Sequence, residues 1–351
     1  YSKNIIEKYR NGYDRELYPD MDWIDAITKD FANNTRASFD LPGGREKLRY
    51  SFVGAYYRES GITESDDSKD WDSNLSVNRF NLRTNVDMNI TPTTLVRFNI
   101  GGYLQRRKAP TTGINEIFSA AFKATPYMHP AIYENGIIPK PKENENPWAM
   151  ATQTGFKREA ESKLETMFSV EQDLKSILQG LKVKGIFSYD YFSKNSVKRT
   201  TSPRYYVPAS GRDDITEALI LNEVASEGSE SLGYELGAEY GNHSTYIEGN
   251  LTYDERFGDH SVNGMLLYNQ REYDNGENVP YRTQGLAGRA AYTFLDRYIA
   301  EFNFGYNGSE NLLSDKRYGF FYQNGSSHWP FQEYNLQRFC YFVKINIQLI
   351  T

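Results

Sequence analysis

The chain has 351 residues, a formal net charge of −6, 39% hydrophobic residues and a mean hydropathy of −0.69. No run approaches the ~20 consecutive apolar residues of a membrane-spanning helix, and the acidic balance argues against a nucleic-acid partner. A single cysteine, Cys340, excludes an internal disulfide framework, and four scattered histidines make a zinc site a poor reading, so no metal or cofactor is expected.

The aromatic content points elsewhere. There are 28 Tyr, 20 Phe and 4 Trp, and amphipathic rings suit a wall with lipid on one side and water at its rims. Such a wall alternates apolar and polar residues, so its mean hydropathy looks soluble. The chain opens Tyr1-Ser2-Lys3, with no initiator Met and no signal-peptide pattern, which reads as a processed or partial chain.

Residues 1–30 differ from the rest. Ile5, Ile6, Tyr9 and Tyr13 fit a short helix, and Pro19 to Trp23 lead on to Ile24, Ala26 and Ile27. This predicts a partly helical lead-in. Period-2 alternation then takes over, the mark of a strand with two different faces. Ala37, Phe39 and Leu41 alternate before an expected turn at Pro42-Gly43-Gly44, and Leu48, Tyr50, Phe52, Gly54 and Tyr56 alternate after it. Between Asn78 and Ile90, Phe80, Leu82, Val86, Met88 and Ile90 share one face, opposite Arg79, Asn81, Arg83, Asn85, Asp87 and Asn89. After Thr91-Pro92-Thr93, a hairpin partner sets Val96, Phe98, Ile100 and Leu104 against Arg97, Asn99 and Gln105.

Leu164 to Val170 is a weaker strand beside the clear row Val183, Gly185, Phe187, Tyr189 and Tyr191. Two further hairpins turn around Phe257-Gly258-Asp259 and Leu295-Asp296-Arg297. About ten wall strands follow, with one or two more near Tyr234 and Phe339. Turns within hairpins are short, whereas the links 59–76, 107–157, 195–242 and 272–284 are long. Short periplasmic turns alternating with long extracellular loops mark a transmembrane barrel. The charged residues Arg79, Arg83, Asp87, Arg97, Lys184, Asp190, Glu248, Arg289 and Glu301 fall on the inner face. They would be costly in the core of a small soluble barrel and suit the wet lumen of a wide one.

Several motifs resemble one family. Leu17-Tyr18-Pro19-Asp20-Met21-Asp22-Trp23 resembles the YPNTDW element early in the barrel of SusC/RagA-type TonB-dependent transporters. Ser38 to Gly44 matches the strand ending in SGG, and Tyr50 to Ile62 loosely matches the segment after it. Arg79 to Asp87 is similar to RYNFRANVD, Asp296 to Glu310 to DRYLLEANFRYDGSS, and Lys316 to Phe321 to xRYGFFP. The resemblance covers about residues 1–321. It implies an all-β fold, an antiparallel segment of a 22-stranded plugged outer-membrane barrel, left unclosed by this many strands. It further implies TonB-driven import of glycan fragments or peptides, a SusD-like surface lipoprotein as lid, outer-membrane lipid around the wall, and contact with the TonB complex in the full-length protein only. The family's plug and TonB-contacting segment have no counterpart here, so the chain alone is expected to be inactive.

The expected organisation is a lead-in at 1–30, barrel wall at 31–321 and a divergent tail at 322–351, as a shifted reading frame would give. Candidate substrate- or lid-contacting residues are Phe122, Tyr127, His129, Tyr133 and Trp148 in the loop 107–157, with Tyr205 and Tyr206 in the loop 195–242. Sugars stack on aromatic faces, although such rings more often pack a loop against itself. The acidic loop 59–76 carries Glu64, Asp66, Asp67, Asp70 and Asp72 without calcium-loop spacing, and reads as a solvated loop. No catalytic constellation emerges: no G-x-S-x-G, P-loop or H-E-x-x-H is present. The competing readings are a soluble all-β carbohydrate-binding module and a glycan-degrading enzyme.

Overall fold

The computed structural model describes residues 2–141, 145–224, 228–229, 231–328 and 343–345. Two helices come first, α1 (Lys3–Asn11) and α2 (Trp23–Ile27). The strands β1 (Asn34–Arg45), β2 (Leu48–Ser60), β3 (Ser76–Thr91) and β4 (Thr94–Pro110) follow. The next connection holds α3 (Ile114–Lys123), β5 (Ile138–Pro139) and α4 (Pro147–Thr152). The long hairpin β6 (Gly155–Asp173) and β7 (Leu181–Thr200) comes next. A second connection holds β8 (Tyr205–Arg212), β9 (Leu219–Glu223) and β10 (Glu235–Leu236). The chain continues with β11 (Tyr240–Phe257), β12 (His260–Asp274), β13 (Tyr281–Phe294), β14 (Tyr298–Ser309), β15 (Tyr318–His328) and β16 (Val343–Ile345).

One antiparallel sheet runs in the order β1-β2-β3-β4-β6-β7-β11-β12-β13-β14-β15-β16, with β10 on β7. Its two ends do not pair with each other, so the described wall is open. The strand expected near Phe339 lies outside the described residues, as does Cys340. Near Tyr234 the structure has β10, and β15 runs across residue 321 to His328.

The alternation has a plain cause. Register pairs Phe80 with Leu104, Leu104 with Ser162, and Val86 with Phe98 and Tyr50, so apolar side chains line up across strands. A slip of one residue would move every one of them to the other face. These side chains have no core to enter: Phe80 is 58% and Leu104 63% exposed. An apolar face of this breadth needs lipid, which a soluble carbohydrate-binding module does not meet.

The expected turn at Pro42-Gly43-Gly44 is corrected. β1 runs on to Arg45, Pro42 faces Ser51, and the turn is Glu46-Lys47. Proline is tolerated because β1 is an edge strand, and Gly43 leaves room for the ring of Tyr50, which a Cβ there would meet at 2.5 Å. The segment Leu164 to Val170 belongs to a much longer strand, 19 residues of β6 against 20 of β7. One end of the sheet carries the connections 46–47, 92–93, 174–180, 258–259 and 295–297, none longer than seven residues. Among the described residues the other end carries 61–75, 111–154, 201–239, 275–280 and 310–317, and the three longest connections are all there.

The main buried apolar cluster sits at that looped end, outside the sheet. Trp23 and Ile27 of α2 meet Ile117 and Ala121 of α3, with Ala151 of α4 and Ala131 of the connection between α3 and β5. Asp22 caps α2 by accepting from the amides of Ile24 and Asp25 at 3.0 and 3.1 Å. Trp23 then turns inward and donates from Nε1 to the Thr125 carbonyl at 3.1 Å.

Candidate functional site at the looped end

Two surfaces could carry function: the polar face of the wall and the cap of lead-in and loops at its end. On the wall, Asp87 faces Arg97, Glu165 faces Asp190, Ile186 faces Glu248, and Arg289 faces Asn303. Followed strand by strand, this register places Arg79, Arg83, Asp87, Arg97, Lys184, Asp190, Glu248, Arg289 and Glu301 on one and the same face. Most find partners there. Arg97 bridges Glu171 at 3.0 Å and Asp87 at 4.0 Å, Arg83 meets Glu165 at 3.4 Å, and Arg289 meets Glu301 at 2.9 Å. Glu248 accepts from the Tyr246 hydroxyl at 2.6 Å. Paired charges held open to water in this way suit a hydrated surface, where each pair contributes little to stability.

In the cap the aromatic candidates separate. Tyr133 is buried to 3% exposure and His129 is buried against Trp23, ring centroids 5.1 Å apart. His129 Nδ1 lies 2.8 Å from the Pro130 carbonyl and so carries the proton. Burial holds the imidazole below its ordinary value, only partly offset by that hydrogen bond. Burial, then the nearby Glu16 carboxylate, pushes the Tyr133 hydroxyl up to about 12. Trp148 packs against the helical cluster. These three hold the loop together. By contrast Phe122 is 77% and Tyr127 47% exposed. Tyr127 walls a groove of about 510 Å³ with Ile6, Tyr9, Arg10, Pro19, Asp20 and Pro126. Tyr205 and Tyr206 are half-buried and lie beside Ile138 and Pro139, where β5 pairs parallel with β8.

The sequence reading missed the clamp that joins these segments. Arg212 in β8 donates to Asp14 at 2.7 and 3.2 Å and to Glu16 at 2.9 Å, and Glu16 also accepts from the amide of Glu134 at 3.0 Å. Burial alone would raise the Asp14 carboxyl; the bond from Arg212, with those from the amides of Leu17 and Glu16, outweighs it and holds the group below the usual carboxylate value. The acidic loop is tied in as well. Asp66 accepts from Gln153 at 2.6 Å and Asp72 meets Lys108 at 2.5 Å.

No protein-family model matches the chain. The TonB-dependent receptor P3 of Formosa agariphila is 24% identical over 378 residues, which take in 95% of this chain and 33% of the receptor. The RagAB peptide importer in its closed-closed state superposes with a TM-score of 0.64 at 14% identity, over 91% of this chain and 37% of the other. Its open-open state gives 0.63 at 15% identity, over 91% and 36%.

The fold is that of a TonB-dependent receptor barrel wall. The resemblance read from the motifs thus stands on both comparisons, and the protein is an outer-membrane β-barrel protein whose relatives are named receptors and transporters rather than enzymes. This receptor-type wall spans about a third of the length of the relatives it matches.

Proposed function

We propose that this chain is part of the wall and outer mouth of a SusC/RagA-type importer that takes up glycan fragments or peptides across the outer membrane. The observation that carries the reading is the single polar face. The nine charges named above, from six strands, share it, while the opposite face is exposed and apolar. A wide barrel needs this arrangement, with lipid outside and a wet lumen inside.

In this reading residues 1–30 latch the loops and 31–321 make the wall. The groove beside Tyr127 and the ring of Phe122 meet incoming substrate or a SusD-like lipoprotein lid, since exposed rings near Arg10 and Asp20 suit stacking and hydrogen bonding. The complete protein would draw its energy from the TonB complex. The RagAB structures are described as those of a peptide importer, which favours peptides among the two substrate classes.

The test is cysteine accessibility in isolated outer membranes, with Cys340 first replaced by Ser. Ser188→Cys and Asn303→Cys on the polar face should react with a charged maleimide at least about tenfold faster than Phe187→Cys and Phe304→Cys on the apolar face. Equal rates on the two faces would overturn the reading.

A further inference from the structure

The apolar face carries one cluster of charge that the transport reading does not use. Register continues this face past the belt of Tyr56, Phe80 and Leu104 toward the looped end. The next row holds Arg58, Asn78 and Arg106; the row beyond it holds Lys108 beside Arg158; and Phe156 beside Arg199 follows. Only Lys108 has an acidic partner among the described residues, Asp72. Arg158 lies over the Phe156 ring at 4.8 Å and Arg199 over the Tyr234 ring at 4.7 Å, contacts that orient a guanidinium without neutralising it. Glu159, which borders the same site from the opposite face of β6, is taken by Arg107 and Lys157 at 3.0 and 2.6 Å. Elsewhere on this face at the same level, Arg282 is neutralised by Glu272 at 2.6 Å. The excess positive charge is therefore confined to β2–β7.

Two cavities meet there. The cationic one, about 610 Å³, opens between Arg106, Arg158, Arg199 and Asn78. Directly below it on the same face lies an apolar trough of about 880 Å³, floored by Gly54 and Gly102 and flanked by Phe39, Tyr56, Phe80 and Leu104. Small residues open the trough and rings wall it. Along the strand, Arg106 is two residues beyond Leu104, about 7 Å, which is the depth of a headgroup layer beside a hydrocarbon belt.

We propose that this face holds a phosphate-bearing acylated lipid of the outer leaflet, its phosphate on Arg106, Arg158 and Arg199 and an acyl chain in the trough. Guanidinium forks match phosphate oxygens, and the apolar trough excludes a free anion as the intended occupant.

The experiment is native mass spectrometry of the protein purified from outer membranes in a zwitterionic detergent, with diphosphoryl lipid A as probe. The triple variant R106A/R158A/R199A should retain at least about tenfold less lipid. The charge-preserving R106K/R158K/R199K should stay within about threefold of wild type, and K69A/K123A/K175A, three exposed lysines off the patch, should match it. Heat-modifiable mobility of each variant reports folding of the barrel independently of lipid. Undiminished retention in a folded alanine triple overturns the proposal. So does equal retention of phosphatidylcholine, or displacement of lipid A by inorganic phosphate alone.

Discussion

The wall and the cap are built by opposite rules. The wall has long strands, exposed apolar side chains and charges open to water; its order comes from backbone pairing and from the media on its two sides. The cap has short helices and a small buried cluster of Trp23, Ile27, Ile117 and Ala121, closed by side-chain hydrogen bonds between distant segments. A wall residue is therefore judged by which face it occupies, and a cap residue by what it touches.

Substitutions can break that comparison, and the largest effect should come from the wall. Phe187→Arg sets a charge in the apolar belt and should cost about 2–4 kcal/mol, read as loss of the folded, heat-modifiable species in outer membranes. Asn81→Arg on the opposite face should leave that species within about 0.5 kcal/mol of wild type. Equal losses would mean that the faces do not differ in medium. In the cap, Ile117→Ala empties part of a fully buried site and should cost about 2–4 kcal/mol. That loss should be local: faster proteolysis of 111–154, with barrel melting unchanged.

A smaller loss than these two belongs to the clamp. Arg212→Ala leaves Asp14 and Glu16 without their cation and should loosen the lead-in by about 1.5–3 kcal/mol, measured by hydrogen exchange of α1. Acid should mimic it. The Asp14 carboxyl is depressed in the folded state, so its contribution is complete above the unfolded value near 4 and is lost as pH falls through the lower folded value. Protection of α1 from exchange, taken relative to the intrinsic rate at each pH, should therefore be unchanged between pH 7 and 5 and fall below about pH 4; a fall already at pH 6 would place the switch on another group.

Much of the wall was legible because a strand declares its faces locally, two residues at a time. Arg79 through Asp87 show it, and no tertiary knowledge is needed to assign them. β6 was half-read because its outward positions include Arg158, Ala160 and Ser162, which blur the contrast with Glu159, Glu161 and Lys163. Pro42-Gly43-Gly44 misled because turn chemistry and edge-strand chemistry share those residues. The cap was nearly opaque. α3 and α4 are short, and the bond from Arg212 to Asp14 joins residues 198 apart, a pairing that no local pattern announces. For the same reason Tyr133 and His129, chosen for their rings, proved to be packing residues, while Tyr127 stayed exposed.

Strand length has a further consequence. On β7 the apolar positions run from Val183 to Tyr191, and pairing continues to Thr200. At about 3.3 Å per residue and a tilt near 40°, the paired part beyond Tyr191 carries the wall about 20 Å past the rings of the apolar belt. The protein thus meets its surroundings with a sleeve of hydrogen-bonded backbone rather than slack chain. A protease needs an unpaired, extended segment in its cleft, so digestion of intact cells should nick only the loop crests and leave the sleeve whole.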